Sequence, residues 1–240
     1  MTDEIAKLSR LTARGGVVFF GGAGVSTESG IPDFRSPDGL YARSSAYPPE
    51  EMLSRRFFFS HTKEFFDFYR SAILCCLDCK PNPAHTLCAE WERAGLVDAV
   101  VTQNIDGLHT AAGSKKVYEL HGSVMRNRCL DCGRSYDVDH VRSSDGVPHC
   151  ECGGIVKPDV VLYGEPLDEE TVEGAIAAIA NAKTLIVAGT SLSVYPAANL
   201  INFFGGDALV LINRDRLAAE SRADLVIHGN VGEILSACEV

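Results

Sequence analysis

Four cysteines lie in two close pairs, and their spacing is typical of a metal site. Cys129 and Cys132 are followed by Cys150 and Cys152, with glycines beside both pairs. Two such pairs separated by a hairpin-sized loop can surround a tetrahedral zinc ion. The second pair is one residue tighter than is usual, which strains its turn without excluding metal binding. Because four thiolates close the coordination shell, we expect the zinc to be structural, with four free or buried thiols as the alternative.

A histidine lies just ahead of the cysteine pairs, in the segment Glu119-Leu120-His121-Gly122. Because imidazole titrates near neutral pH, His121 is a candidate general base. A single histidine is more often structural, and its position in the sequence does not distinguish the two roles. The remaining histidines, at positions 61, 85, 109, 140, 149 and 228, have no stronger individual claim.

Residues 16–35 combine an apolar run with glycines and hydroxyl side chains, a pattern that favours a nucleotide-binding loop. The run Val17–Phe20 predicts a short buried strand. The glycines that follow it allow a tight turn and a close approach of the backbone to a ligand. Ser26 and Thr27 could cap a following helix, whose free N–H groups would face a phosphate.

The same segment does not match the fingerprint of ordinary dehydrogenases. Thr27 stands where the third glycine of Gly-x-Gly-x-x-Gly would be, and no acid follows about twenty residues later at the end of a second strand. A phosphate site is therefore expected, whereas hydride transfer is not. Asp33, Phe34 and Arg35 end the segment with an acid, an aromatic ring and a guanidinium beside that site.

Three further polar segments follow predicted strands, where binding loops are common. Residues 101–109 contain amides and an acid that could bind ribose hydroxyls and a carboxamide, although an Asn/Asp turn would have the same composition. Residues 188–194 form a second loop of small residues, suited to phosphate or ribose. Asn213, at the end of another strand, could bind an adenosine ribose. Taken singly, the last two segments are equally well explained as turns.

The candidate residues must be positioned by the strands and helices around them. Apolar strands alternate with helical segments, which predicts a doubly wound α/β fold, a Rossmann-like parallel sheet covered on both faces. The predicted strands are Val17–Phe20, Val97–Thr102, Thr184–Ala188, Ala208–Ile212 and Asp224–Ile227. The predicted helices are Asp3–Thr12, Ala84–Ala94, Asp168–Asn181 and Ala197–Phe204. We expect residues 1–35, 81–122 and 158–240 to form this dinucleotide-binding domain, with a helical insert at 36–80 and a zinc-binding module at 123–157.

Composition and charge narrow the class of protein. Of the 240 residues, 46% are hydrophobic, and the net charge of −10 comes without a basic tract. Non-specific binding to nucleic acid is therefore not expected. A basic partner such as a lysine-bearing peptide is compatible, although ordinary solubility is the simpler explanation of the charge. No apolar run reaches transmembrane length and no secretory signal is evident, so we expect a cytoplasmic protein without membrane attachment. We also expect a monomer.

Nine cysteines are an odd number in a chain without an export signal, so disulfides are not expected. Cys75, Cys76 and Cys79 form another close group, but no second pair lies near them in the sequence. We interpret them as helix-end or packing residues, with an opportunistic redox or metal site as the alternative. Cys88 and Cys238 lie in no motif that indicates a function.

Taken together, these segments closely resemble the sirtuin family, the NAD-dependent protein lysine deacylases. The matching blocks run in the family's order and span almost the whole chain, as in the short bacterial and archaeal members. They are residues 22–35, 102–109 and 120–122, the two cysteine pairs, and residues 158–165, 189–196 and 212–213.

The resemblance implies a dinucleotide site, a peptide site and a metal site. NAD would contact Gly22, Ala23, Gly24, Thr27, Asp33, Phe34, Arg35, Gln103, Asn104, Ile105, Asp106, His121, Gly189, Thr190, Ser191, Asn213 and Val231. The peptide would pair as an added strand with Val160, Val161, Tyr163 and Gly164. His121 and Asn104 would be catalytic, and Cys129, Cys132, Cys150 and Cys152 would hold one structural zinc ion.

The implied reaction is deacetylation of an acetylated lysine in a protein or peptide. The acyl oxygen attacks the anomeric carbon of NAD as nicotinamide leaves, His121 acts as base on the ribose hydroxyls, and 2′-O-acyl-ADP-ribose is released. Members that remove succinyl or malonyl groups share a Tyr-x-x-Arg pair in the helical insert. The counterpart here, Phe66-Asp67-Phe68-Tyr69, lacks the arginine, so we expect uncharged acyl groups, acetyl first. Tyr163 stands where the family usually has Phe.

Other functions remain open at this point. A mono-ADP-ribosyltransferase, or a deacylase for longer acyl chains, would use the same residues. A zinc-stabilised sensor that binds NAD or ADP-ribose without turnover is the non-enzymatic alternative. The presence of His121, Asn104 and Asp106 argues against the sensor.

Overall fold

The fold is given by a computed structural model that describes residues 2–33, 39 and 47–240. In chain order its strands are β1 (Val17–Gly21), β2 (Val97–Thr102), β3 (Val117–Glu119), β4 (Gly122–Cys129), β5 (Ser135–Asp137), β6 (Val156–Val160), β7 (Thr184–Ala188), β8 (Ala208–Asn213) and β9 (Leu225–His228). Six of them form a parallel sheet in the order β3-β2-β1-β7-β8-β9. This is the predicted doubly wound architecture.

Helices cover both faces of the parallel sheet. The α-helices of the described residues are α1 (Asp3–Ala13), α2 (Pro49–Met52), α3 (Arg55–Ser60), α4 (Thr62–Phe68), α5 (Pro83–Arg93), α6 (Leu108–Ala112), α7 (Val138–Ser143), α8 (Glu169–Asn181) and α9 (Val231–Ser236). Of these, α1, α5 and α9 pack on one face of the parallel sheet and α8 packs on the other. Residues 197–204, predicted as a helix, contain the 3-10 helix Ala197–Phe203. In the part of the chain that the structure describes, no helix is both long and apolar enough to cross a membrane.

The central strands β1 and β7 are buried along their whole length because both faces of the sheet are covered. Every residue of β1 is buried, and its side chains alternate between two apolar clusters. Phe19 packs with residues of α1, α5 and α9 on one face, and Phe20 packs with residues of α8 and the 3-10 helix on the other. Burial of this apolar surface, at about 25 cal/mol per Å², is the main stabilising contribution to the domain.

A second, smaller sheet carries the cysteine pairs. Its antiparallel order is β5-β4-β6, and α7 follows β5. The aromatic helices α3 and α4, and the π-helix Tyr69–Ile73 after them, pack against this small sheet in one apolar cluster. We call it the joint cluster; it includes Phe57, Phe58, Phe65, Phe66, Tyr69, Val124, Cys129, Val141, Cys150 and Val160. The helical insert and the cysteine module therefore stabilise each other.

The strand order places a crevice in the middle of the parallel sheet. β1 lies between β2 and β7, and the chain builds outward in opposite directions from that point. The loops after β1, β2 and β7 meet beyond their carboxyl ends, which is where ligands bind in open α/β sheets. The candidate binding segments of the sequence follow these strands: the glycine loop follows β1, residues 103–109 follow β2 and residues 189–194 follow β7. Asn213 lies at the end of β8.

Candidate active site

A cavity of about 630 Å³ runs along the carboxyl ends of the strands and reaches the helical insert. Most of the site residues predicted from the sequence line this cavity, although they come from distant parts of the chain. Those that line it are Ala23, Gly24, Asp33, Gln103, Asn104, Ile105, Asp106, His121, Val160, Val161, Tyr163, Gly164, Gly189, Thr190, Ser191, Asn213 and Val231. One cavity is therefore lined by residues from both predicted halves of the site, those expected to contact the dinucleotide and those expected to contact the peptide.

A few of the predicted site residues are not found in the cavity lining. Gly22 and Thr27 are not among the cavity-lining residues; the Thr27 hydroxyl donates to the Gly24 carbonyl at 2.9 Å. Phe34 and Arg35 lie outside the residues that the structure describes. The predicted helix cap at Ser26 is wrong: short 3-10 turns, Ala23–Val25 and Thr27–Ser29, replace the helix, and Ser26 makes no side-chain cap.

The glycines of the first loop allow it to touch a neighbouring loop. Gly24 N donates to the Gly189 carbonyl at 2.8 Å, and a Cβ on Gly24 would lie 2.8 Å from Gly189 Cα. A Cβ on Gly22 would lie 2.7 Å from Thr190 Cβ. Glycine is therefore required here for contact between the loops after β1 and β7, in addition to any approach of a ligand.

This contact predicts a sharp difference between two glycine substitutions. Gly189 has φ +57°, and a Cβ there would lie 2.4 Å from Val25 N, so Gly189→Ala combines backbone strain with overlap. We expect it to lower the free energy of unfolding by about 2–5 kcal/mol. Gly205→Ala is the matched control, because its Cβ would meet nothing within 4 Å, and it should change stability by less than about 0.5 kcal/mol. Urea unfolding of both variants tests this; equal stabilities would contradict it.

Ser26 is the centre of a hydrogen-bond network in the cavity wall. Its Oγ donates to Asp106 Oδ2 at 2.7 Å and accepts from Asn104 Nδ2 at 3.0 Å. Asn104 Nδ2 also lies 3.1 Å from the Gly22 carbonyl. These bonds fix the amide and the carboxylate that follow β2. The sequence showed both groups but not their link to Ser26, since the partners are about eighty positions apart.

His85 completes this network, although the sequence gave it no special claim. Asn82 N donates to His85 Nδ1 at 3.2 Å in a capping box at the start of α5, so the neutral ring carries its proton on Nε2, 3.4 Å from Ser26 Oγ. Burial lowers the pKa of His85 to about 4, although the charge of Asp106 opposes this. His85 is therefore neutral at pH 7. The Asn82 amide also holds the first loop, through Val25 O at 2.7 Å.

His121 has the geometry that a general base requires. Its Nδ1 lies 2.7 Å from the carbonyl oxygen of Gln103, and a carbonyl can only accept, so the neutral ring is protonated on Nδ1. The lone pair is therefore on Nε2. Burial lowers the pKa of His121, with the Gln103 hydrogen bond opposing it, so the ring is neutral at pH 7. A neutral imidazole with a fixed tautomer can take a proton at Nε2.

The segment after β6 lies directly beside His121. Val161 N donates to the His121 carbonyl at 3.0 Å. Tyr163 N donates to Leu53 O, and Arg55 N donates to Tyr163 O, each at 2.9 Å, so the segment is also held to the helical insert. Lys157 also holds this segment in place, because its Nζ lies 2.9 Å from Val160 O and 3.0 Å from Glu165 Oε2. The sequence did not reveal this ion pair.

Arg214 marks the opposite end of the cavity, next to Asn213. Its guanidinium lies 3.3 Å from Asp33 Oδ2, so it joins the end of β8 to the first loop. Asp33 is mostly buried, and this pairing stabilises its charge. The sequence does not single out Arg214, since nothing local indicates a partner 181 positions away.

The four cysteines of the small sheet lie together as a metal site requires. Their Sγ atoms all lie within 4.8 Å of one another, with Cys129–Cys152 and Cys132–Cys150 separated by 3.5 Å each. Zn–S bonds of about 2.3 Å in a tetrahedron place the sulfur atoms about 3.8 Å apart, close to these distances. The donor set therefore fits one zinc ion. Cys75, Cys76 and Cys79 belong to no such group among the described residues.

Comparison with known proteins gives a consistent result. The Sir2 family model matches residues 22–196. The chain is 54% identical to the NAD-dependent protein deacetylases of Clostridium acetobutylicum and of Clostridium perfringens, with 98% of each chain covered. It is 42% identical to that of Sulfolobus acidocaldarius, with 96% of this chain and 92% of the relative covered.

Solved structures agree with the sequence relatives. A Sir2–p53 peptide–NAD+ complex has a TM-score of 0.86 at 39% identity, and Sir2 bound to acetylated peptide has a TM-score of 0.86 at 38% identity. In both cases 98% of this chain and 96% of the solved chain are covered. The family match, the identities and the shared architecture show that this chain belongs to the Sir2 family.

Proposed function

We propose that this chain is an NAD-dependent protein-lysine deacetylase that releases nicotinamide and 2′-O-acyl-ADP-ribose. The observation that carries the proposal is the contact of His121, neutral and oriented by Gln103, with both Gln103 and Val161 in the wall of one cavity. The relatives named NAD-dependent protein deacetylase, and the Sir2 complexes with NAD+ and with acetylated peptide, support the same reaction.

The dinucleotide would lie along the ends of the strands. Backbone of the first loop at Ala23 and Gly24 would hold its pyrophosphate, and the loop after β7 with Asn213 would hold the adenosine half. Asn104 and Asp106, fixed by Ser26, would line the nicotinamide ribose pocket. The fit rests on a single cavity lined by these groups, whose amide and carboxylate side chains are suited to ribose hydroxyls.

The peptide would add a strand beside Val160, Val161, Tyr163 and Gly164, with the acyl-lysine directed toward His121. NAD supplies the electrophile, an anomeric carbon that takes the acyl oxygen as nicotinamide leaves. His121 Nε2 would then accept the proton of a ribose hydroxyl, and Gln103 O would stabilise the imidazolium through Nδ1. The enclosed wall would exclude water and strengthen each polar contact.

The zinc ion would have a structural role. Four thiolates leave no open position for a substrate, so Cys129, Cys132, Cys150 and Cys152 would hold the small sheet. That sheet contributes Val124 and Val160 to the cavity wall. We also propose a monomer in the cytoplasm, without membrane or nucleic-acid partners; reduced thiols and NAD both belong to a reducing intracellular compartment.

Lys157 gives a prediction that separates peptide binding from catalysis. Lys157→Met would leave the mostly buried Glu165 unpaired and free the segment that the peptide pairs with. We expect the KM for peptide to rise about tenfold, equivalent to about 1.4 kcal/mol, while the KM for NAD changes little. Lys157→Arg keeps the ion pair and should restore peptide KM. Steady-state kinetics in each substrate test this; a rise in both KM values would contradict it.

The function is tested by incubating the protein with an acetyl-lysine peptide, with and without NAD, and weighing all products by mass spectrometry. We expect loss of the acetyl group from the peptide only with NAD, with one nicotinamide released per lysine. ADP-ribose attached to protein without deacetylation would instead indicate a mono-ADP-ribosyltransferase. Binding of NAD without nicotinamide release would indicate a sensor.

A further inference from the structure

Three cysteines at the end of the helical insert have no part in the proposed reaction or in the zinc site. Cys75 is exposed, and Cys76 and Cys79 are half-buried. Cys76 also lines the cavity. Cys88, by contrast, is buried, and that burial raises the pKa of its thiol. A small oxidant in solution can therefore reach the group of three, whereas Cys88 is shielded.

The backbone brings Cys76 and Cys79 together. Cys79 N donates to Cys76 O at 3.1 Å, which closes a turn after the 3-10 helix Leu74–Cys76. Residues three apart in a helical turn have Cβ atoms about 5–6 Å apart, and a disulfide needs about 3.5–4.5 Å. A bridge between these two cysteines therefore requires the turn to contract by about 1–2 Å.

Cys75 is a poorer partner for Cys76, although its sulfur is close. The two Sγ atoms lie 3.6 Å apart, and Cys75 Sγ also lies 3.5 Å from Ala72 O. Neighbouring residues have Cα atoms about 3.8 Å apart, which is below the range of about 4.4–6.8 Å found across disulfides. A bridge between adjacent cysteines would be strained, so the geometry favours Cys76–Cys79.

Contraction of this turn would change the cavity wall. Leu77 follows Cys76, and both residues line the cavity together with Ile73. Ile73 and Leu77 pack against the joint cluster, to which Val160 of the predicted peptide segment belongs. A bridge would therefore move Cys76 and Leu77 relative to the part of the wall where we expect the peptide.

We propose that Cys76 and Cys79 are a redox modification site, at which hydrogen peroxide forms a reversible disulfide that reshapes the peptide side of the cavity. One thiolate attacks a peroxide oxygen, the O–O bond breaks, and the departing oxygen takes up protons as water. The second thiolate attacks the resulting sulfenic acid, the S–O bond breaks, and a second water leaves. Two thiols lose two electrons and the peroxide gains them. Intracellular disulfides are typically transient and redox-sensing, which agrees with such a role.

The bridge itself does not depend on the proposed deacetylase function, whereas its effect on peptide turnover rests on that function. The protein is treated with hydrogen peroxide, and its disulfides are mapped by mass spectrometry of proteolytic fragments. We expect one Cys76–Cys79 bridge per chain and a loss of two hydrogen atoms in the intact mass. Because shifts of about 1 Å in a binding wall can be costly, kcat/KM for acetyl-lysine peptide should fall about tenfold and recover with dithiothreitol.

Two serine variants and a zinc indicator complete the test. Cys79→Ser should form no bridge and keep its activity in peroxide, and Cys75→Ser should still form the bridge and lose activity reversibly. Neither residue lines the cavity, so both variants should match the parent when reduced. The proposal is overturned by a bridge between Cys75 and Cys76, by the absence of a bridge, or by equal inactivation of Cys79→Ser with release of zinc. A reduced parent protein that removes no acetyl group would refute the proposed function, and the mass data would still decide the bridge.

Discussion

Replacing His121 with alanine should reduce deacetylation by about 100- to 10,000-fold, the range that a positioned general base contributes. The physical reason is the loss of the Nε2 lone pair, which the Gln103 carbonyl directs by holding the proton on Nδ1. The loops that would hold the pyrophosphate and the adenosine half are unaffected, so NAD should still bind. Single-turnover assays and isothermal titration calorimetry with NAD measure the two effects separately.

The acid limb of the pH profile gives a second readout of the same residue. Burial sets the pKa of His121 below its ordinary value of 6.5, so the neutral ring persists as the pH falls through 6.5. Activity should therefore stay constant as the pH falls from 7 to 6.5 and decline only at more acidic pH. His140→Ala, outside the cavity lining, is the matched histidine control and should retain full activity. Full activity in His121→Ala would refute its role as base.

Removing the zinc ion should abolish activity through loss of structure. Structural zinc sites contribute about 10–16 kcal/mol of apparent binding free energy in small domains, and that energy is folding energy. Cys129 and Cys150 belong to the joint cluster, so losing the metal would loosen Val124 and Val160 in the cavity wall. We expect Cys132→Ser to lose the metal, the protection of the small sheet from hydrogen exchange, and deacetylation together.

Zinc content and stability test this expectation. The parent protein should contain one zinc ion per chain by atomic absorption, and strong chelators should lower its Tm. Cys79→Ser is the matched control, because Cys79 belongs to no metal-binding group among the described residues. A zinc-free protein that keeps both its Tm and its activity would show that the four thiols are not a structural metal site.

The parts of the fold that were predicted correctly are those with a local cause. Strands such as Val17–Phe20 and Thr184–Ala188 are apolar throughout because both faces of a parallel sheet are buried, and that pattern is visible in the sequence. The cysteine pairs are also visible in the sequence, because the two members of each pair lie within four residues of each other. β3, by contrast, has three half-buried residues and no such pattern, and it was not predicted.

The contacts that were missed join residues far apart in the chain. The hydroxyl of Ser26 was expected to cap a helix, but its hydrogen bond to Asp106 depends on how β1 and β2 pair. The Lys157–Glu165 pair and the buried hydroxyl of Tyr69 likewise depend on packing of the small sheet against the insert. Hydrogen-bond partners set by tertiary packing have no local signature.

The central claim is that NAD and an acetylated lysine react in one cavity around His121, and an isotope label tests it most directly. A peptide with a 13C-labelled acetyl-lysine is incubated with NAD and the protein, and every labelled product is identified by mass. The account predicts that the label first appears on ADP-ribose, with nicotinamide and unmodified lysine released in equal amounts. Label released directly as acetate while NAD stays intact would contradict it.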